Sequence, residues 1–175
     1  MRHVGRKLLR HYNLWSFPGH NDRYKLFSSE AEDSKQFFKK YISRISYEKP
    51  AIRCFNKSYH EPYTNDQLLD LIFALENLYL ENKGEFRYKL SMRAAYVLGD
   101  DTKSRKEIFQ GLKKAYDIRC NIVHGRQGVD ADPELVWRVR EYLRKSIIKL
   151  SERPDIWEKK KTSCLDSIIL KGITK

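Results

Sequence analysis

YDIRCNIVHG, residues Tyr116–Gly125, closes a segment whose apolar residues repeat at helical spacing. Counted from Ile108 at ~100° per residue, Leu112, Ala115, Ile122 and Val123 fall within ~60° of one direction, and Arg119 falls in their middle. The spacing predicts a long helix from Lys103 to His124, stopped by Gly125, with a cation set into its apolar stripe; this helix is expected to be central and packed against the helix from Leu68 to Glu81. A guanidinium does not deprotonate in a protein, and an unpaired buried charge is very costly. Arg119 therefore requires carboxylate or carbonyl partners.

Two further charges sit on apolar faces. In LLDLIFALENLYLE, the most apolar helix of the chain, the stripe runs Leu68, Leu71, Ile72, Leu75 and Tyr79, and Glu76 projects between Ile72 and Leu80. In FRYKLSMRAAYVLG, Arg93 flanks a face containing Leu90, Ala94 and Val97. Glu76 is expected to accept a charge-assisted hydrogen bond from Arg93 or Arg119 in a dry interior, one carboxylate serving both arginines. A purely structural ion-pair network is the competing reading of the same three residues.

The surrounding chain is punctuated for helices throughout. Glu30, Glu32 and Asp33 precede KQFFKKYISRI, an acidic first turn followed by apolar spacing near 3.6. AIRCFNKSYH follows Pro50 as a shorter helix; Thr64 with Gln67 forms a capping-box pattern; Gly84 and Gly99 end the next two runs; Thr102 is placed to cap the long helix. Asp132 with Pro133 opens ELVWRVREYLRKSIIKL, and beyond Pro154 a basic stretch precedes one last short helix. Residues 1–28 are basic and aromatic, with SFPGHND as a turn, and read as an N-terminal arm, a tail or the remnant of a preceding domain; 29–175 reads as a single all-α domain. No repeat, low-complexity tract or strand pair is evident.

Composition sets the class of partner. The 175 residues carry 35 Lys+Arg against 23 Asp+Glu, a net charge of +12, which favours polyanions such as phosphate backbones. No apolar run reaches the ~18 residues that span a bilayer, and MRHVGRKLLRHYNLW lacks the apolar centre of a signal peptide. The expectation is a soluble cytoplasmic protein without membrane association. Cys54, Cys120 and Cys164 are odd in number and lack C-x-x-C spacing, so they read as reduced thiols rather than as a disulfide framework or zinc site.

His124 follows Arg119 by five positions, ~140° around the helix, on the same stripe as Asp117 and Asn121. In the last turn, a cationic imidazole also suits the helix dipole without any further role. The R-x4-6-H pattern itself is common enough that Arg6 with His11 and Arg53 with His60 match it too. Only Arg119 with His124 combines a long helix, an arginine in the apolar stripe and a glycine stop.

AIRCFNKSY, LLDLIFALENLYL, YKLSMRAAYVLG and IFQGLKKAYDIRCNIVHG, followed by VWRVREYLRKSI, resemble in their order the HEPN domains, and within them the ApeA-like HEPN group. The resemblance covers roughly residues 50–150. It implies a small α-helical bundle that dimerises with its R-x4-6-H helices facing one another, Arg119 and His124 in the motif's two places, and Glu76 and Arg93 in its recurrent ALE and RAA positions. Cys120 departs from the polar residue that commonly follows the arginine; the nearest amide is Asn121.

The resemblance further implies metal-independent, cofactor-free endoribonuclease chemistry, in which the RNA's own 2′-hydroxyl attacks the adjacent phosphate. Histidine moves protons near neutral pH and arginine meets charge developing on phosphorus. Arg119 and His124 are thus the expected catalytic pair, with Asn121, Glu76, Arg93 and Asp117 as support. Because the pair diverges by ~140° on one helix, two helices across a two-fold axis are needed to build one groove. Lys113, Lys114, Arg126 and Arg138 or Arg140 are candidate phosphate contacts, and Tyr116 or Trp137 candidate base-stacking surfaces. The partners expected are RNA, a second copy of the chain, and a regulatory protein or antitoxin in a defence or toxin–antitoxin setting. The alternatives are a non-catalytic HEPN module that binds RNA or scaffolds a dimer, and an unrelated helical adaptor.

Overall fold

In the computed structural model, every regular element among the described residues, 28–41, 49–81, 84–158 and 163–173, is a helix. The all-α reading therefore stands. The chain divides into two compact units, Met1–Ser46 and Tyr47–Lys175. To the first belongs α1 (Ser28–Tyr41), with Glu30 in its first turn and Lys39 and Lys40 in its last, charges that suit the helix dipole at both ends. Apart from Ser28, the basic arm lies outside the described residues, and so do its turn, the Arg6/His11 match and the stretch 159–162.

The second unit holds α2 (Pro50–Lys57), α3 (Thr64–Tyr79), α4 (Phe86–Leu98), α5 (Thr102–Val123), α6 (Pro133–Ser151), the single turn α7 (Pro154–Trp157) and α8 (Ser163–Ile173). At its centre lies α3, whose Leu68, Leu71, Ile72, Ala74, Leu75 and Tyr79 are wholly buried and which packs against α2, α4, α5 and α6. This corrects the expectation that α5 is central. The two helices do pack together as expected, but α5 has one apolar stripe and buries only Ile108, Leu112, Ala115 and Tyr116. A helix apolar on most of its surface goes to the middle and a striped one to the outside. None of the described helices is long and apolar enough to cross a membrane.

Three local expectations change. Thr64 is the first helical residue of α3 rather than its cap; Tyr63 takes the cap position without a side-chain bond, and Gln67 Nε2 donates to the Glu61 carbonyl at 2.8 Å. Asp101, not Thr102, caps α5: its carboxylate accepts from the Ser104 amide while the Ser104 hydroxyl accepts from the Asp101 amide, both orphan donors being satisfied. Helix α3 ends at Tyr79 with Leu80 extended, before Gly84 is reached; Gly84, at φ 103°, instead turns the chain into α4. Asp132 caps α6 as its sequence predicts, accepting from the Glu134 amide at 3.1 Å.

Candidate functional site

Arg119 leaves the last turns of α5 toward α3. Its guanidinium lies 5.6 Å from the centre of the Tyr116 ring, one turn back on the same helix, and its Nη2 is 3.9 Å from Glu76 Oε2. The other carboxylate oxygen of Glu76 accepts a 2.8 Å hydrogen bond from the Tyr116 hydroxyl. Burial, first, and then the Glu76 carboxylate push the Tyr116 hydroxyl well above the usual tyrosine range, so it stays a donor. Glu76 thus holds Tyr116 directly and Arg119 by charge, and Tyr116 lies flat beneath the cation it helps to place.

This arrangement corrects the expected one in three respects. Glu76 makes an ion pair with Arg119 but takes its hydrogen bond from Tyr116, and the site is not a dry interior: the Glu76 and Arg119 side chains are 18% and 28% exposed. Arg93 is not part of it. Its Nε and Nη2 donate to the two oxygens of Asp166 on α8 at 2.8 and 2.9 Å, and its Nη1 donates to the Tyr79 carbonyl at 2.6 Å. That bidentate grip fastens α8 to α4 and to the end of α3.

His124 occupies the C-cap of α5, exposed to solvent. Gly125, at φ 65°, donates to the Ile122 carbonyl, and the Arg126 amide to the Asn121 carbonyl, each at 3.0 Å. These are the two bonds of a Schellman motif, and the left-handed residue within it is where glycine carries no Cβ penalty. The imidazole makes no hydrogen bond among the described residues. Asn121 is half-buried beside it, whereas the exposed Asp117 is engaged by Arg87 of α4.

Of the proposed RNA contacts, Lys114 and Arg126 are exposed, and Lys113 lies over the Phe109 ring at 5.3 Å. Tyr116 is 6% exposed, too covered to stack a base. Arg138 pairs with Glu134 one turn away. Arg140 turns inward, donating from Nη2 to the Ser58 carbonyl at 3.0 Å and to Gln67 Oε1 at 2.9 Å, over the Tyr59 ring, while its buried Nε has no partner among the described residues. Its own stripe carried the signal: Val136, Leu143 and Ile147, spaced like the apolar neighbours of Arg119, are all buried. Trp137 is partly exposed on α6.

Four surface cavities are lined by Trp157, Tyr116, Asp166 and His60 with their respective neighbours, and neither Arg119 nor His124 lines any of them. Among the described residues no group of three His, Cys, Asp or Glu side chains is placed to share a metal ion, and the three cysteines are free. The chain matches no family model, no curated protein and no solved structure.

Proposed function

We propose that this chain is a metal-independent endoribonuclease of HEPN type, acting on single-stranded RNA as a homodimer in the cytoplasm, in a defence or toxin–antitoxin setting with a regulatory partner. One observation carries the reading: at the C-terminal end of α5, Arg119 is oriented by Tyr116 and Glu76 without a hydrogen bond consuming its donors among the described residues. A guanidinium held by charge at 3.9 Å and still reached by solvent keeps its planar fork for a phosphate. His124, exposed on the same end of the helix, supplies the proton carrier.

In the reaction, the 2′-oxygen forms a bond to phosphorus, the bond to the 5′-oxygen of the next nucleotide breaks, and a 2′,3′-cyclic phosphate and a 5′-hydroxyl result. His124 takes the proton from the 2′-hydroxyl or returns one to the leaving oxygen; Arg119 meets the charge on the non-bridging oxygens. Val123, 55% exposed beside His124, with Ile118 and Ile122 half-buried, supports a second copy of the chain as the surface that covers this end of α5.

A non-catalytic dimeric module or helical adaptor is the second reading. It is favoured by the same Glu76–Arg119 pair taken as a structural contact, by Arg119 lining none of the four cavities among the described residues, and by Cys120. The experiment that separates them is cleavage of single-stranded RNA in EDTA. Cyclic phosphate ends are expected from the wild type and none from His124→Ala or Arg119→Lys, each still helical. RNA binding without cleavage over a range of substrates and pH selects the scaffold, and strict dependence on added magnesium overturns the mechanism.

A further inference from the structure

The second R-x4-6-H match of the chain, Arg53 with His60, is brought by the fold to one place. Both line an open cavity of about 520 Å³ between α2 and α3, together with Cys54, Asn56, Lys57 and Phe73, a size that suits a small ligand. Arg53 and His60 are exposed, and Arg53 has no carboxylate partner among the described residues. Lys57 is different: Glu61 at 3.0 Å and Asp70 at 3.1 Å hold it, so its charge is largely spent locally. Behind it, burial raises the Asp70 carboxyl, and burial likewise raises the Cys54 thiol, leaving an uncharged sulfur in the cavity lining.

Phe73 is the second feature. A phenylalanine on the helix that forms the centre of the core is nevertheless 50% exposed, with Arg53 and His60 around the same opening. Phe73 and Glu76 are three residues apart on α3, ~60° around the helix and ~4.5 Å along it. Glu76 is the carboxylate that pairs with Arg119, so the exposed ring stands one helical turn from the anchor of the candidate catalytic arginine.

We propose that this cleft binds a nucleotide of a single-stranded RNA, its base stacked on Phe73 and its phosphate met by Arg53 and His60, as a subsite next to Arg119. The choice of RNA as ligand rests on the ribonuclease reading; the convergence of a guanidinium, an imidazole and an exposed ring does not. A free ring face with a neighbouring cation is how sequence-tolerant single-strand sites are built, and an unstacked base is what single strands offer.

The test is binding of a short, fluorescent, 2′-O-methylated oligoribonucleotide, which lacks the attacking hydroxyl, to the full chain in EDTA. Phe73→Ala and Arg53→Ala should each weaken binding about fivefold or more, and Arg53→Ala should also lower the slope of log affinity against log salt by about 0.7. Phe73→Trp should keep the affinity and report the oligonucleotide by quenching. Lys145→Ala, exposed on α6 and away from the cleft, should bind as the wild type does. Circular dichroism on each variant checks folding. Unchanged affinity in folded Phe73→Ala and Arg53→Ala overturns the subsite, and adenosine monophosphate quenching as tightly as the oligonucleotide overturns the strand. Cleavage of unmodified RNA is scored separately. Loss of binding in the cleft variants with no cleavage by the wild type sinks the nuclease and leaves the cleft; cleavage with unaffected binding does the reverse.

Discussion

Glu76 serves two partners that differ in how much they need it. Tyr116 is nearly buried and donates a short bond to the carboxylate; Arg119 lies at 3.9 Å and is reached by water. Removing an acceptor from a buried hydroxyl costs about 1–3 kcal/mol, whereas a partly solvated ion pair contributes about 1 kcal/mol or less. Glu76→Ala should therefore lower stability by about 1–3 kcal/mol, chiefly through Tyr116. Glu76→Gln keeps an amide oxygen for the tyrosine and should lose only the charge, about 1 kcal/mol or less. Urea unfolding of the two variants checks this. Equal losses would mean that the ion pair dominates and that Arg119 is anchored rather than lightly held. At this scale the sequence located the misplaced charges but not their partners. Arg119 and Glu76 did meet, because each interrupts the facing stripe of a neighbouring helix. Asp166, which neutralises Arg93, stands on a short helix far along the chain with no periodic sign that it faces Arg93. Nor does helical spacing reveal that the Tyr116 hydroxyl, rather than its ring face, would meet Glu76.

At the scale of the elements, two glycines show why position outweighs residue type. Gly99 is not left-handed; it ends α4 in an extended conformation. A Cβ there would lie 2.6 Å from Arg105 Cγ, 2.8 Å from Arg105 N and 2.9 Å from the Ala95 carbonyl, so the first turn of α5 approaches too closely for any side chain. Gly111 sits inside α5, where the nearest atom to an added Cβ is the Tyr142 hydroxyl oxygen at 3.5 Å. Gly99→Ala should thus destabilise by about 1–3 kcal/mol through forced displacement. Gly111→Ala should stabilise by about 0.5–1 kcal/mol by removing backbone freedom from the unfolded chain. Thermal melts that moved the same way for both variants would contradict this packing. In sequence Gly99 reads only as a helix stop and Gly111 as a helix-weakening glycine; the close approach that constrains Gly99 comes from Arg105 across the turn. The helices themselves were legible from apolar spacing and from Asp132–Pro133. The starts of α3 and α5 were misplaced by a residue because Thr64 and Thr102 each offered a plausible cap, and only the backbone direction of the preceding loop decides between neighbours.

For the whole molecule, the decisive quantity is how many chains make one site. Arg119 and His124 leave α5 ~140° apart, no cavity among the four joins them in the single chain, and Val123 lies exposed between the turns that carry them. If two α5 helices face across a two-fold axis, a phosphate in the shared groove is met by the arginine of one protomer and the histidine of the other. This geometry predicts complementation in trans. Arg119→Lys and His124→Ala, each inactive alone, should recover activity when mixed and allowed to exchange subunits. Half of the dimers are then mixed, and each mixed dimer keeps one of two composite sites, so about a quarter of wild-type activity is expected. A pair acting within one protomer gives none, since every chain in the mixture lacks one member. Wild-type activity should also fall more steeply than linearly on dilution, as dimers dissociate. Recovery of about a quarter with this dilution behaviour fixes the composite site; no recovery, with subunit exchange demonstrated by fluorescence transfer between labelled chains, returns the site to a single helix end and removes the need for the facing arrangement.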